Sequence, residues 1–136
     1  MGLGAYILVR DAQGLDKRVE DVRQGERMFD PVSGIGRAVT KIWQGPAVGM
    51  YRIVLENDSL LDLTEDHAVM TADGLLPANR IATGTMVLAE GGYSRCVEAT
   101  PLPGDFMVYD LVVDAKDGGM PCLLAGGAVA GAIAAK

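Results

Sequence analysis

Histidine and tryptophan each occur once, cysteine and phenylalanine twice, and aromatic side chains make up only 5% of the 136 residues. Two cysteines are too few for a disulfide framework, and Cys96 and Cys122 have no CxxC spacing for zinc; a single bridge between them is left open. A reduced, cytoplasmic setting is the default for such cysteine usage. The 12 lysines and arginines are nowhere clustered and the net charge is −6, so a nucleic-acid footprint is missing. Long hydrophobic runs are missing too. Residues 5–9 are too short for a signal sequence and lack a basic flank. Residues 123–135 fall short of a spanning helix and predict a buried strand with a loose tail, so no membrane association is expected. The Gly34-Ile35-Gly36 segment is no phosphate loop, because no helical pattern follows it. No metal-ligand cluster and no serine or cysteine elbow is present, and no cofactor is expected.

What the chain does have is 18 glycines, 6 prolines and many short apolar runs, the pattern of a turn-rich β protein. Its length suits one domain with a single core. Sliding the sequence against itself gives several agreements at an offset near 58 residues. Residues 22–29 fall over 81–88 at one residue more, 37–39 over 95–97, and 51–55 over 109–113. Their common order predicts an all-β fold of two interlocked subdomains related by a pseudo-twofold axis. Strands are expected at 5–10, 26–29, 37–44, 50–56, 60–64, 68–71, 86–89, 94–100, 108–113 and 122–129, and short helical turns at 15–22 and 77–81. The segment around His67 finds no counterpart after Val113, and a segment that breaks a duplication is a candidate for function. Cys96 falls over Ala38, which predicts a small buried side chain. Cys122 is expected in the core near the last strand, and Trp43 is expected to cover the core from a strand.

His67 is the one side chain whose ordinary pKa suits acid/base work near neutral pH. In Thr64-Glu65-Asp66-His67 a hydroxyl and an imidazole spaced three apart at a strand exit can address one peptide group. Glu65 and Asp66 are expected to face solvent, with Asp66 able to orient the imidazole. On spacing alone, a lone histidine on a β surface is more often structural. The flanks carry more. Residues 63–78, with the apolar Ala68-Val69-Met70-Thr71, the turn at Asp73-Gly74 and then Pro77-Ala78, resemble the TxxH block of the Hint superfamily, the fold of inteins, bacterial intein-like domains and the hedgehog autoprocessing domain. Residues 7–14 with 19–28 are similar to that family's first block. Val108-Tyr109-Asp110-Leu111-Val112-Val113 is similar to its late YDL strand, and residues 123–129 to the start of its ending.

The resemblance implies a pseudo-twofold β horseshoe over residues 1–132, residues 133–136 as C-terminal flanking polypeptide, and a monomer whose partners are its own flanking chains, the exteins. It implies self-processing rather than turnover of a separate substrate. In such domains a first-position Cys or Ser attacks the preceding carbonyl, and a C-terminal Asn later cyclises. An amide is a poor leaving group, so an acid near its nitrogen and donors near its oxygen are what the site must supply. By carry-over Thr64 holds the peptide, His67 acts on its nitrogen and Asp110 tunes the nucleophile or the later transfer; Asp110 also has the plainer reading of a turn cap or ion-pair partner. The first-position nucleophile falls at Met1, Gly2 or Leu3, with Met1 or Gly2 fitting best. The terminal His-Asn falls at Gly131-Ala132, followed by Ile133. None of these carries the reactive group, which implies a form inactive as written, either by deliberate substitution or by decay. The alternative of a different class is a non-catalytic β module used for binding or presentation.

Overall fold

A computed structural model describes all residues 1–136. Thirteen strands follow one another: β1 (Leu3–Gly4), β2 (Leu8–Arg10), β3 (Asp16–Arg18), β4 (Arg27–Asp30), β5 (Ile35–Leu55), β6 (Leu60–Leu63), β7 (Ala68–Thr71), β8 (Gly74–Pro77), β9 (Met86–Ala89), β10 (Gly92–Val113), β11 (Cys122–Ala125), β12 (Ala128–Gly131) and β13 (Ile133–Ala134). Single helical turns at Val19–Asp21 and Ala78–Arg80 are the only helical pieces, and no helix is long and apolar enough to cross a membrane.

Two pairs of expected strands turn out to be single long ones. Residues 37–44 and all but the last of 50–56 are inside β5, and 94–100 and 108–113 both inside β10. Glycine and proline between them suggested loops, but the two strands pair antiparallel from Val39↔Val113 to Cys96↔Leu55 and absorb the irregularity as bulges, one of them between Leu102 and Asp105. The expected strand at 122–129 divides into the hairpin β11–β12, because Gly126 and Gly127 adopt positive φ of 59° and 87°. The expected strand at 5–10 keeps only β2; its first residues form a turn closed by the Ile7 N–H on the Gly4 carbonyl at 3.0 Å. The short strands β3 and β8 lie where the sequence suggested turns.

The duplication is present in the hydrogen bonds. The Gly25 N–H donates to the Val39 carbonyl and the Val39 N–H to that of Glu26; the Gly84 N–H donates to Cys96 and the Cys96 N–H to Thr85, all four at 2.8 Å. Cys96 therefore matches Val39, one residue from the Ala38 assigned by sequence, and both are buried. Strand pair β2–β3 matches β7–β8, and β4 matches β9. Leu3 and Leu63 pair across the pseudo-axis, with Leu3 opposite Tyr109 and Leu63 opposite Tyr51.

This symmetry corrects the reading of His67 as a break in the repeat. The His67 N–H donates to the Thr64 carbonyl at 3.1 Å just as Ile7 does to Gly4, and the Ala78 N–H donates to His67 as Val19 does to Ile7. The TxxH turn opens the second copy, and its counterpart is Gly4-Ala5-Tyr6-Ile7. That counterpart precedes the segment by 60 residues and does not follow Val113.

One core, including Leu3, Ile53, Leu55, Leu63, Leu111 and Leu123, serves both halves. Trp43 is not part of it. It is 39% exposed and lies against Gly45 on the surface of β5. A buried ion pair closes one end. Arg37 donates to Asp30 at 2.7 Å and to Asp117 at 2.9 Å, while the Cys122 N–H donates to Asp30 at 3.1 Å. Burial works against Asp30 ionising, yet Arg37 and the backbone donors hold its pKa below the ordinary range.

Candidate functional site

The turn between β6 and β7 meets Gly2 through Thr64 and Gly131 through His67. The Gly2 N–H donates to Thr64 Oγ1 at 2.9 Å, and the Thr64 N–H donates back to the Gly2 carbonyl at 2.9 Å. The Thr64 hydroxyl spends its own proton on Asp66 Oδ1 at 2.8 Å. Asp66 thus faces Thr64 and the amino group of Met1, 3.7 Å away, and not the imidazole. Glu65 is exposed, as expected.

His67 points the other way, into the protein, where only 1% of it is exposed. Its Nε2 lies 2.8 Å from the Gly131 carbonyl oxygen. A carbonyl only accepts, so Nε2 carries the proton and Nδ1 has a free lone pair. Nδ1 faces Asp110 Oδ2 at 3.8 Å, and these two buried atoms have no hydrogen-bond partner. Burial pushes the imidazole pKa down to about 4, and pushes the Asp110 carboxyl up to about 7 against the pull of the Leu111 N–H on Oδ1. Near neutral pH the histidine is uncharged and the acid is divided between its two forms. Of the two forms only the protonated Asp110 has a proton to give, and at 3.8 Å it is not hydrogen-bonded to Nδ1.

Of the residues singled out by sequence, Thr64 and Gly2 meet at one edge of the turn, and His67, Asp110 and Gly131 meet at the other. Thr64 Oγ1 touches the residue 2 amide, whereas the hydrogen bond of His67 goes to Gly131. Ala132 is half-buried, and its N–H donates to the Pro121 carbonyl at 3.0 Å. Gly2 is buried, and a Cβ built there would sit 2.7 Å from Val108 Cγ2 and 2.8 Å from Val108 Cβ. Cys96 and Cys122 are unbridged and buried. Cys122 lies opposite Gly131 in the hairpin, but its sulfur turns toward Met120 and burial raises its pKa to about 11.

Sequence reasoning missed Val108 and Pro121 as neighbours of Gly2 and Ala132. It also missed a second polar cluster that the pseudo-axis makes visible. The matched registers equate Asp110 with Arg52 and Gly2 with Asp62. Arg52 donates to both carboxylate oxygens of the buried Asp62 at 2.8 Å, and Tyr6 adds its hydroxyl. The pairing of positions 62 and 52 in the first copy indicates where a side chain at position 2 lies in the second: toward Asp110.

No protein-family model matches the sequence, and no curated protein does at a significant level. Solved structures do match. The DnaB intein of Synechocystis sp. PCC 6803 superposes with a TM-score of 0.82 at 15% identity, over 96% of this chain and 97% of the other. The gp41-1 intein gives 0.81 at 15% identity, also over 96% and 97%. The bacterial intein-like domain of Clostridium thermocellum gives 0.80 at 16% identity with the same coverage. Over nearly its whole length this chain has the Hint fold, that of the inteins and the bacterial intein-like domain.

Proposed function

We propose that this chain is an intein-type self-processing domain held at the precursor stage, with a site that grips both of its junctions and lacks the groups that break them. The observation that supports this best is the double grip of one turn: Thr64 holds the residue 2 amide at 2.9 Å, and His67 holds the Gly131 carbonyl at 2.8 Å.

Thiol or hydroxyl attack from position 2 on the carbonyl of residue 1 forms a thioester or ester, breaks the C–N bond and leaves the residue 2 amine to be protonated. Gly2 has no atom to attack with. At the other junction, the side-chain amide nitrogen of an Asn at 132 attacks its own carbonyl carbon and expels the amine of residue 133. Ala132 has no such nitrogen. What remains is the support. Thr64 orients the first amide, His67 fixes the peptide at 131, and the buried Asp110, whose pKa lies near neutrality, is the proton source beside His67.

The test restores the missing atoms between two flanking reporter domains, with Gly2→Cys, Val108→Ala to open space for the new side chain, and Ala132→Asn. The expected result is thiol-induced cleavage at position 2 and spontaneous cleavage after position 132, seen on gels and by mass. Thr64→Ala slows the first by about a hundredfold or more, and His67→Ala the second, each about the range of one positioned polar group. A folded restored precursor that stays intact rejects self-processing and leaves the non-catalytic β module.

A further inference from the structure

The residues after 132 do not form a loose tail. The Ala132 N–H is held by Pro121, and Ile133 and Ala134 then pair in parallel with Val112 and Val113 as β13. The Ala135 N–H donates to the Val113 carbonyl at 2.8 Å. The opposite edge of β10 at these positions is already taken by Lys41 and Val39 of β5. β13 therefore covers what is otherwise an open strand edge.

The pseudo-axis shows what lies at the matching edge of the first copy. In the first copy β6 covers β5 continuously, from Leu63 on Tyr51 to Leu60 on Val54. In the second copy β1 covers Val108 and Tyr109, and the Gly2 amide turns aside onto Thr64. Val112 and Val113 match Val54 and Leu55, and β13 lies beside them where β6 lies beside Val54.

We infer that this edge of β10 is the docking strand for the polypeptide that follows position 132, an inference resting on residues 133–136 being flanking chain. Recognition is through the backbone, by strand addition, so it accepts extended segments of varied sequence. Its selectivity is set by two features. Position 135 must offer an N–H, which excludes proline. Ile133 and Ala135 are half-buried while Ala134 is exposed, and Ala135 borders a cavity of about 450 Å³ lined by Ala38, Thr40, Asp114, Ala115 and Lys116. A large side chain at 135 therefore has room.

Hydrogen exchange of the intact chain tests this without any chemistry at the junctions. Ala135→Ser keeps the amide, Ala135→Leu uses the cavity, and Ala135→Pro removes the donor. The expected result is wild-type protection of the backbone at 133–136 in the serine and leucine variants, and a loss of about tenfold or more in the proline variant, with the rest of the sheet unchanged. Equal protection in the proline variant, or lost protection in the leucine variant, overturns the docking strand. Failure of the restored precursor to cleave bears on the proposed function alone, because exchange at 133–136 is read in the unaltered site.

Discussion

Burial shifts the pKa values of His67 and Asp110 in opposite directions, so their contributions to stability change with pH in opposite senses. Burial lowers the His67 pKa from 6.5 to about 4, so between those values the unfolded chain binds the proton and the native one does not. The contribution of His67 is whole above 6.5 and is lost as pH falls toward 4. Asp110 is raised from 3.8 to about 7, so over that span the native state holds a proton that the unfolded state has released. Its contribution is whole below 3.8 and is lost as pH rises through 7. Between pH 4 and 6.5 the two slopes oppose, and the pair leaves stability nearly flat. Asp110→Asn removes one slope and keeps the other. Relative to wild type, its unfolding free energy rises with pH across this window by up to about 1.4 kcal/mol per pH unit. Urea unfolding of both proteins at the two ends of the window measures it, and the remaining carboxylates cancel in the difference. Parallel pH profiles would mean that Asp110 titrates as an ordinary exposed acid.

Among the elements, the glycine turns separate two kinds of requirement. Gly25 and Gly84 occupy matched turns with φ of 93° and 98°, and a Cβ on either meets nothing within 4 Å. Their replacement by alanine costs conformational strain only, about 1–2 kcal/mol each, and equally. Gly126 has the milder φ of 59°, but a Cβ there would lie 2.1 Å from the Leu60 carbonyl oxygen. Gly126→Ala must move backbone of β6 or open the β11–β12 hairpin, and costs more than either, about 3 kcal/mol. Thermal unfolding of the three variants gives the order, and a Gly126 variant no worse than the other two would contradict the close approach.

The same turns show what was legible in sequence. β7 and β9 appear with the bounds expected from their apolar alternation, and both helical turns fall within the expected segments, because those signals are local. β5 and β10 were not legible as single strands, since what carries each past its glycines and prolines is the pairing with the other, some 58 residues away. At the site, Thr64, His67 and Asp110 stood out by residue type and flanks. Val108 and Pro121 could not, because an aliphatic side chain and a carbonyl oxygen become part of a site only through the position the fold gives them.

For the whole molecule, interlocking means that neither half is a folding unit. β5 leans on β10 along its length, β1 lies between β6 and β10, and β11 pairs with β2. Much of the strand pairing of the first half is thus supplied by the second. In the turn after β5 the Leu55 N–H donates to the Ser59 carbonyl and Asp58 adopts a positive φ of 72°. That turn is at the surface and contributes nothing to the core, so a cut between Asn57 and Asp58 removes connectivity and little else. The fragments 1–57 and 58–136 are each expected to lack cooperative unfolding and near-native circular dichroism, since β5 and β10 would each expose a long unpaired edge. Mixed in equal amounts they are expected to recover one cooperative transition, with a midpoint that rises with concentration as for any associating pair. Cooperative unfolding of either fragment alone would show that the halves are adjacent domains and not one interlocked core.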